Sequence, residues 1–424
     1  MDYGFHFGPN DNPQGYSRRL FLGGALGAAA TASLWESAAA IAADTPAPGQ
    51  AKPQTFDRKL KLGLVGCGGR GNFLAKLFQQ HGGYELHAVT DYFPRNSART
   101  GKLLGVDPRR CFSGLSGYKK VIESGIEAIA LEVPTCFFAD HSAAAIDAGI
   151  HVYMAKPIAV DVPSCTRILA AGKQATAKHA VFLVDYQMPT EPINIEVARR
   201  VRQGEIGKLL KVVTTGCSGG HVDPPRGTTI ENRLEHNIWD NDIAIGGSSL
   251  LCFDIHAIDA AVWVLGQRPI AAMGISRVCR ADPHSDGADI GGVVYEYAGG
   301  LIHEHSGQHV PNGVPGELSC KVFGQNGYAV VNYWHDTEFH VRGRKPLTGT
   351  VNSLYPNGAA RNIATFYDCI TQGKFDNPTV PRAVDGALTC ILGREAGLRH
   401  GRLTMDELLR ENKRIEADLA GLKD

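Results

Sequence analysis

Residues 59–73 read KLKLGLVGCGGRGNF, and the fold turns on how this stretch is read. Leu60 to Val65 has the pattern of a short apolar strand, and Gly66-Cys67-Gly68-Gly69-Arg70-Gly71 follows at once. A helix pattern runs from Asn72 to Gln80, and a second strand, YELHAVTD, ends in Asp91. A lone G-x-G-x-x-G is weak; framed by strand, helix, strand and acid, each glycine acquires a task. Gly66 permits the tight turn, Gly68 lets the backbone approach a pyrophosphate, and Gly71 lets helix and strand pack closely. The helix N-terminus, with Gly69 and Arg70 in the loop, offers N–H groups and a positive dipole end to phosphates. Asp91 can accept hydrogen bonds from ribose hydroxyls and would repel a 2′-phosphate, so the frame favours NAD over NADP. Arg95 lies close enough in sequence to weaken that preference.

Outward from this unit, strand and helix patterns keep alternating. EAIALEVP (127–134), HVYMA (151–155) and AVFLVD (180–185) are strands, with a helix around Asp140 to Ala148. Such alternation argues for a Rossmann-type α/β fold with a doubly wound parallel sheet, whose ligands sit beyond the carboxyl ends of the strands. Pro134, Lys156 and Asp185 to Gln187 all follow strand ends and should converge on one crevice. Further strand-like runs at 209–216, 270–278, 291–297, 300–306, 318–323 and 328–334 point to a second, α+β unit.

The chain has 424 residues, with 43 Lys and Arg against 43 Asp and Glu. It lacks the basic excess that phosphate-backbone binding requires, which argues against a nucleic-acid partner. Ten cysteines are scattered without a C-x-x-C, so neither a zinc knuckle nor a redox pair is indicated. Near the start, Ser17-Arg18-Arg19-Leu20-Phe21-Leu22 has the twin arginines and apolar pair of a Tat leader, and Ala40-Ile41-Ala42 offers a cleavage pattern. The Gly- and Ala-rich segment behind it is too weakly apolar for a stable membrane span. The expected division is leader 1–43, linker 44–58, NAD-binding domain 59–185 and substrate and oligomerisation domain 186–424, with a periplasmic or otherwise exported location.

The glycine motif, VPTCFFADHSAAAIDAGIHVYMAKPIA (133–159), RRVRQGEIGKL (199–209) and GGSSLLCFDIHAIDAAVWVLG (246–266) together give a resemblance to the Gfo/Idh/MocA family, from Leu60 to the C-terminus. The resemblance implies a second domain with a large, open, mostly antiparallel sheet. One face of that sheet would cover the substrate, and the other would make a homo-oligomer, a dimer or tetramer. The family has Glu-Lys-Pro where this chain has Ala155-Lys156-Pro157; Lys156 would reach the nicotinamide ribose and the reacting hydroxyl. It also places Asp-x-x-x-His at the substrate, where this chain has Cys252 and His256. Asp254 could stand in for the missing aspartate, although a two-residue offset on a helix points elsewhere. By resemblance Tyr186 and Gln187 touch nicotinamide or substrate, with packing the alternative for Tyr186. Pro134 and His141 hold the places of a loop beside the cofactor.

Three other stretches carry expectations. His303, His305 and His309 read as a polar strand face lining the substrate crevice, in preference to a metal site, with a turn at Gly307. The long segment 221–247 reads as a sugar-stacking lid around Trp239, with an ordinary packed tryptophan the alternative, and 403–424 as a charged amphipathic helix. An export leader on a nucleotide-binding chain is itself informative. Free NAD is scarce outside the cytoplasm, whereas the Tat route carries folded proteins. The expectation is a tightly bound cofactor, regenerated in place on a carbohydrate substrate. Either a second carbonyl compound is reduced, or oxidation enables elimination and net glycoside hydrolysis. A dissociable-cofactor dehydrogenase and a non-catalytic sugar-binding module are the alternatives.

Overall fold

The structure is a computed structural model that describes residues 56–424 apart from 224, 225, 228 and 236. The expected leader and most of the linker lie outside the described residues. Among these residues no helix is long and apolar enough to cross a membrane.

The first unit alternates strand and helix: β1 (Leu60–Val65), α1 (Gly69–His81), β2 (Tyr84–Asp91), α2 (Pro94–Leu104), β3 (Cys111–Ser113), α3 (Gly117–Glu123), β4 (Ala128–Leu131), α4 (Phe138–Asp147), β5 (His151–Ala155), α5 (Val162–Ala177) and β6 (Phe182–Asp185). The six strands are parallel, in the order β3-β2-β1-β4-β5-β6. Helices cover both faces, so β4 and β6 are buried at every position and read as unbroken apolar runs. The order reverses between β1 and β4, and a crevice opens beyond their carboxyl ends. The turn there demands glycine. Gly66 has φ +97°, and a Cβ on it would lie 2.0 Å from the Glu132 carbonyl oxygen. A Cβ on Gly71 would lie 1.9 Å from the Gly66 carbonyl oxygen.

The later chain begins with α6 (Pro192–Arg202) and β7 (Leu209–Ser218), then α7 (Ile230–Glu235), α8 (Ser249–Cys252) and α9 (Ile255–Leu265). Seven strands follow: β8 (Ala271–Arg277), β9 (Ile290–Glu296), β10 (Ile302–His309), β11 (Glu317–Gly324), β12 (Gly327–Asn332), β13 (Asp336–Val341) and β14 (Leu347–Thr350). The chain closes with α10 (Leu354–Gln372), α11 (Thr379–Arg399), β15 (Arg402–Thr404) and α12 (Met405–Glu411). The nine-stranded sheet, ordered β14-β13-β12-β11-β7-β10-β9-β8-β15, is antiparallel except where β7 meets β10. Its inner face packs on α9 and α11. Its outer face leaves Met273, Ile275, Val294 and Ile302 between 47% and 64% exposed. Late in the chain, α10 returns to the first sheet, where Ile363 and Phe366 pack with Leu60, Phe78 and Tyr84.

Two expectations are corrected. Gly307 is no turn but an interior residue of β10; a Cβ there would lie 2.4 Å from Asp254 Oδ2. The C-terminal helix stops at Glu411, because Asn412 adopts φ +43°. Beyond it the chain runs over the first unit, with the Ile415 N–H donating to Asp161 Oδ2 at 2.8 Å.

Candidate active site

At one end of the crevice, Asp91 closes β2 with its carboxylate under the glycine turn. It accepts from the Cys67 N–H (2.8 Å), the Phe93 N–H (3.0 Å) and Asn96 Nδ2 (3.1 Å). Burial raises its pKa, and these three bonds oppose the rise. The first turn of α1 has no acidic residue, and its N-cap Gly68 has no side chain to bond the free N–H groups. A turn that admits only glycine, an uncapped helix start and a fixed carboxylate suit the pyrophosphate and ribose of a dinucleotide.

Arg95 does not influence this pocket as expected, since its guanidinium is paired with Glu235 of α7. The turn after Asp91 is covered by two distant segments. Tyr92 Oη donates to Glu231 of α7 at 2.6 Å and accepts from the Lys423 N–H at 3.1 Å. The Leu115 N–H donates to the Lys423 carbonyl at 3.1 Å.

At the other end, Lys156 follows β5 and donates from Nζ to the Cys252 carbonyl. Burial lowers its pKa to about 8; Arg70 acts in the same direction, while Cys252, Asp185 and Asp240 oppose. An ammonium so placed can lose its proton near neutrality. His256 lies in the first turn of α9, its ring 5.1 Å from that of Tyr333. Burial, then the charges of Lys156 and Arg70, push its pKa well below the usual value. The imidazole is therefore neutral, and its Nδ1 has no hydrogen-bond partner among the described residues.

Arg70 starts beside the glycine turn, but its side chain leaves it. The guanidinium bonds Asp185, lies 3.8 Å from Glu132 Oε2 and sits 4.5 Å from the Tyr355 ring centre. Asp185 also accepts from Asn362 Nδ2 at 2.7 Å. Glu132, one residue beyond β4, was not among the expected site residues. Its side chain is 1% exposed, and burial raises its pKa to about 8, against the pull of Arg70 and Lys156. Glu132 Oε1, Arg70 Nη1 and His256 Nδ1 are buried without a hydrogen-bond partner among the described residues. These groups give the crevice a set of unsatisfied donors and acceptors, as a polar ligand requires.

Other expected residues point elsewhere. Asp254 does not replace the aspartate missing at Cys252. Two positions on, its carboxylate fills the space left by Gly216 and Gly307 on the sheet, 3.1 Å from His305 Nε2 and 2.9 Å from His309 Nε2. Burial alone would raise its pKa, but the two histidines bring it down. Thr214 Oγ1 lies 2.7 Å from His303 Nε2 and 2.9 Å from His305 Nδ1, while Ser218 Oγ meets His309 Nδ1 at 2.8 Å. The three histidines thus belong to a buried network beneath Asp254, not to a face open to substrate.

Tyr186 is 2% exposed and packs in the core, with Arg382 5.3 Å above its ring. Gln187 is held by the Tyr333 hydroxyl, which donates to its Oε1 at 3.2 Å. His141 stacks on Tyr118 with ring centres 4.0 Å apart, and burial lowers its pKa to about 4, so it packs as a neutral ring. Pro134 opens the turn whose Cys136 N–H donates to the Ile245 carbonyl at 3.0 Å. That bond ties the end of the long 221–247 segment to the crevice. Within this segment Asp240 lies 2.8 Å from His221 Nδ1, and its charge reaches Lys156.

Similarity to known proteins agrees with this geometry. Residues 60–185 match the oxidoreductase family with an NAD-binding Rossmann fold, and residues 195–330 match the GFO/IDH/MocA C-terminal domain. Inositol 2-dehydrogenase 4 of Saccharopolyspora erythraea is 25% identical over 290 residues, covering 68% of this chain and 78% of that protein. Inositol 2-dehydrogenase of Corynebacterium glutamicum is 20% identical over 352 residues, covering 81% and 94%. An inositol dehydrogenase homologue of Azotobacter vinelandii, solved with NAD+, shares the fold at TM-score 0.70 and 18% identity, over 83% of this chain and 98% of that one. So does the aldose-aldose oxidoreductase of Caulobacter crescentus, solved with glycerol, at TM-score 0.67 and 19% identity over 82% and 100%. With both domain matches spanning more than half of its length, the chain belongs to the GFO/IDH/MocA family of oxidoreductases.

Proposed function

We propose that this protein oxidises a CH–OH group of a sugar or cyclitol with an NAD that it holds tightly and reuses in place. The observation that carries the reading is Lys156, lowered to about 8 and set beside the neutral His256 in a crevice with unsatisfied polar atoms. When bound, the nicotinamide supplies the hydride acceptor. The protein's part is to fix the substrate hydroxyl and take its proton, on Lys156 or on the imidazole of His256. The carbohydrate class is supported by the inositol dehydrogenases and the aldose-aldose oxidoreductase among its relatives.

Retention of the cofactor is supported by α7 and the C-terminal segment, which both bond Tyr92 next to Asp91. Export through the twin-arginine route, with the cofactor already in place, makes such retention useful. The apolar outer face of the second sheet supports a homo-oligomer.

The test is to add sugars, cyclitols and glycosides singly and in pairs to the purified protein, without nucleotide, and follow nicotinamide absorbance and products. Paired oxidation and reduction is the expected result. Free sugar from a glycoside would establish the elimination route instead. Absence of hydride transfer with every compound would leave a binding module. His256→Ala should slow turnover without releasing nucleotide, and a near-normal rate would remove His256 from the mechanism.

A further inference from the structure

Asp254 stands in sequence between Cys252 and His256, yet its side chain turns to the second sheet and the function above leaves it unused. It sits at a break in a helix. In a continuous helix the Cys252 carbonyl would accept from the His256 N–H, four residues on. Here Phe253 closes α8, and the His256 N–H donates instead to the Phe253 carbonyl at 3.2 Å. The Cys252 carbonyl is thereby freed, and it is the group that accepts from Lys156 Nζ. The same break starts α9 at Asp254, whose carbonyl accepts from the Ala257 and Ile258 N–H groups at 2.9 and 3.0 Å. His256 is thus placed in the first turn of α9.

An aspartate at a helix start ordinarily bonds the free N–H groups of its own first turn. Asp254 makes no such bond. Its buried carboxylate reaches the sheet instead, 3.1 Å from His305 Nε2 and 2.9 Å from His309 Nε2. Two glycines make the room. Gly216 of β7 and Gly307 of β10 are register partners, and a Cβ on them would lie 1.8 Å from Oδ1 and 2.4 Å from Oδ2. Both imidazoles are held from behind, His305 by Thr214 and His309 by Ser218. The Phe253 ring adds contact, its centre 5.4 Å from that of His309 and 6.1 Å from that of Trp334. The helix break is therefore fixed to β7 and β10 through one side chain.

Building on the proposed function, we propose that Asp254 is a positioning residue: anchored by His305 and His309, it holds the helix break that presents the Cys252 carbonyl to Lys156 and sets His256 at the crevice. It acts through these groups and not on the reacting atoms. Without the anchor, residues 252–256 are free to relax toward a continuous helix. The His256 N–H would then take the Cys252 carbonyl away from Lys156.

The experiment compares Asp254→Ala with the near-isosteric Asp254→Asn in the full protein as isolated. Asparagine keeps the anchor, since Oδ1 accepts from His305 and Nδ2 donates to the other tautomer of His309. Rates are measured with the sugar or cyclitol turned over fastest in the screen above. Lys156 is labelled with acetic anhydride from neutral to alkaline pH and quantified by mass spectrometry. Asp254→Ala should keep its nucleotide, hold KM within about twofold and lose on the order of 10- to 100-fold in kcat. Its Lys156 labelling midpoint should fall by about 0.5–1 pH unit, the worth of one hydrogen bond to the ammonium. Asp254→Asn should recover most of both losses. Should Asp254→Ala fail to fold, Asp254→Ala with Gly307→Ala, whose methyl group fills the vacated slot, takes its place. An unchanged kcat and labelling midpoint in the folded variant, even with a lowered urea midpoint, would show a merely structural carboxylate and overturn the positioning role. A wild type that turns over no sugar, while Lys156 labelling still follows residue 254, would overturn the proposed function and leave the positioning standing.

Discussion

Replacing Lys156 by methionine should uncouple activity from stability. Lys156 titrates at about 8 instead of the usual 10.5, chiefly through burial. At about 1.4 kcal/mol per pH unit, keeping the ammonium charged in the folded state costs about 3 kcal/mol. Its partial contact with solvent makes this an upper limit. The sign follows from proton binding. Below about pH 8 both folded and unfolded chains carry the charge, and the folded chain bears the whole cost. Between about 8 and 10.5 the unfolded chain still holds the proton while the folded chain has lost it, so wild-type stability rises with pH.

Methionine has no such cost at any pH, but it leaves the Cys252 carbonyl without its donor, a loss of about 1–3 kcal/mol. Lys156→Met should thus be up to about 2 kcal/mol more stable than wild type near neutrality, and less stable than wild type in the alkaline range. Turnover should be lost throughout. Urea unfolding of both proteins at neutral and alkaline pH measures the two gaps. Equal gaps at the two pH values would refute the claim that burial depresses this lysine.

Asp91→Asn should weaken NAD binding to stripped protein by roughly tenfold and narrow the discrimination against NADP, as calorimetric titration with each nucleotide would show. Deleting residues 413–424 removes the segment that bonds Tyr92 and Leu115; the truncated protein should lose nucleotide during dialysis faster than the full chain. Ile275→Arg, on the exposed face of β8, should convert the expected oligomer to monomers by light scattering while leaving the nucleotide in place.

The parallel sheet was legible because its strands are buried on both faces and so read as apolar runs. Its ligand end was legible because a turn such as Gly66–Gly71 tolerates few other sequences. Lys156 was singled out by family resemblance and its strand-end position, and His256 by family resemblance alone. What failed to show depended on distant partners. Gly307 looked like a turn, because nothing near it in sequence reveals that Asp254 occupies the place of its side chain. Arg95 and Arg70 were assigned to the nucleotide, yet Glu235 and Asp185 claim them from 140 and 115 residues away.

The edge strand β14 and its neighbour β13 carry polar and charged residues and give weak alternation. Glu132 had a readable signal that went unused: it stands in EAIALEVP at a strand end beside the switch point, while the neighbouring strand lacks its glutamate at Ala155. Tyr186, at an equivalent strand end, turns into the core, so strand-end position alone does not place a side chain in the crevice.

Everything proposed about recycling rests on a cofactor that travels with the chain. The protein should be purified without added nucleotide, denatured, and the supernatant assayed for NAD and NADH. About one NAD(H) per chain is the result the proposed retention predicts, with Glu231 and Lys423 both bonded to Tyr92 beside Asp91. A chain that releases none, yet binds added NAD weakly and reversibly, would contradict it.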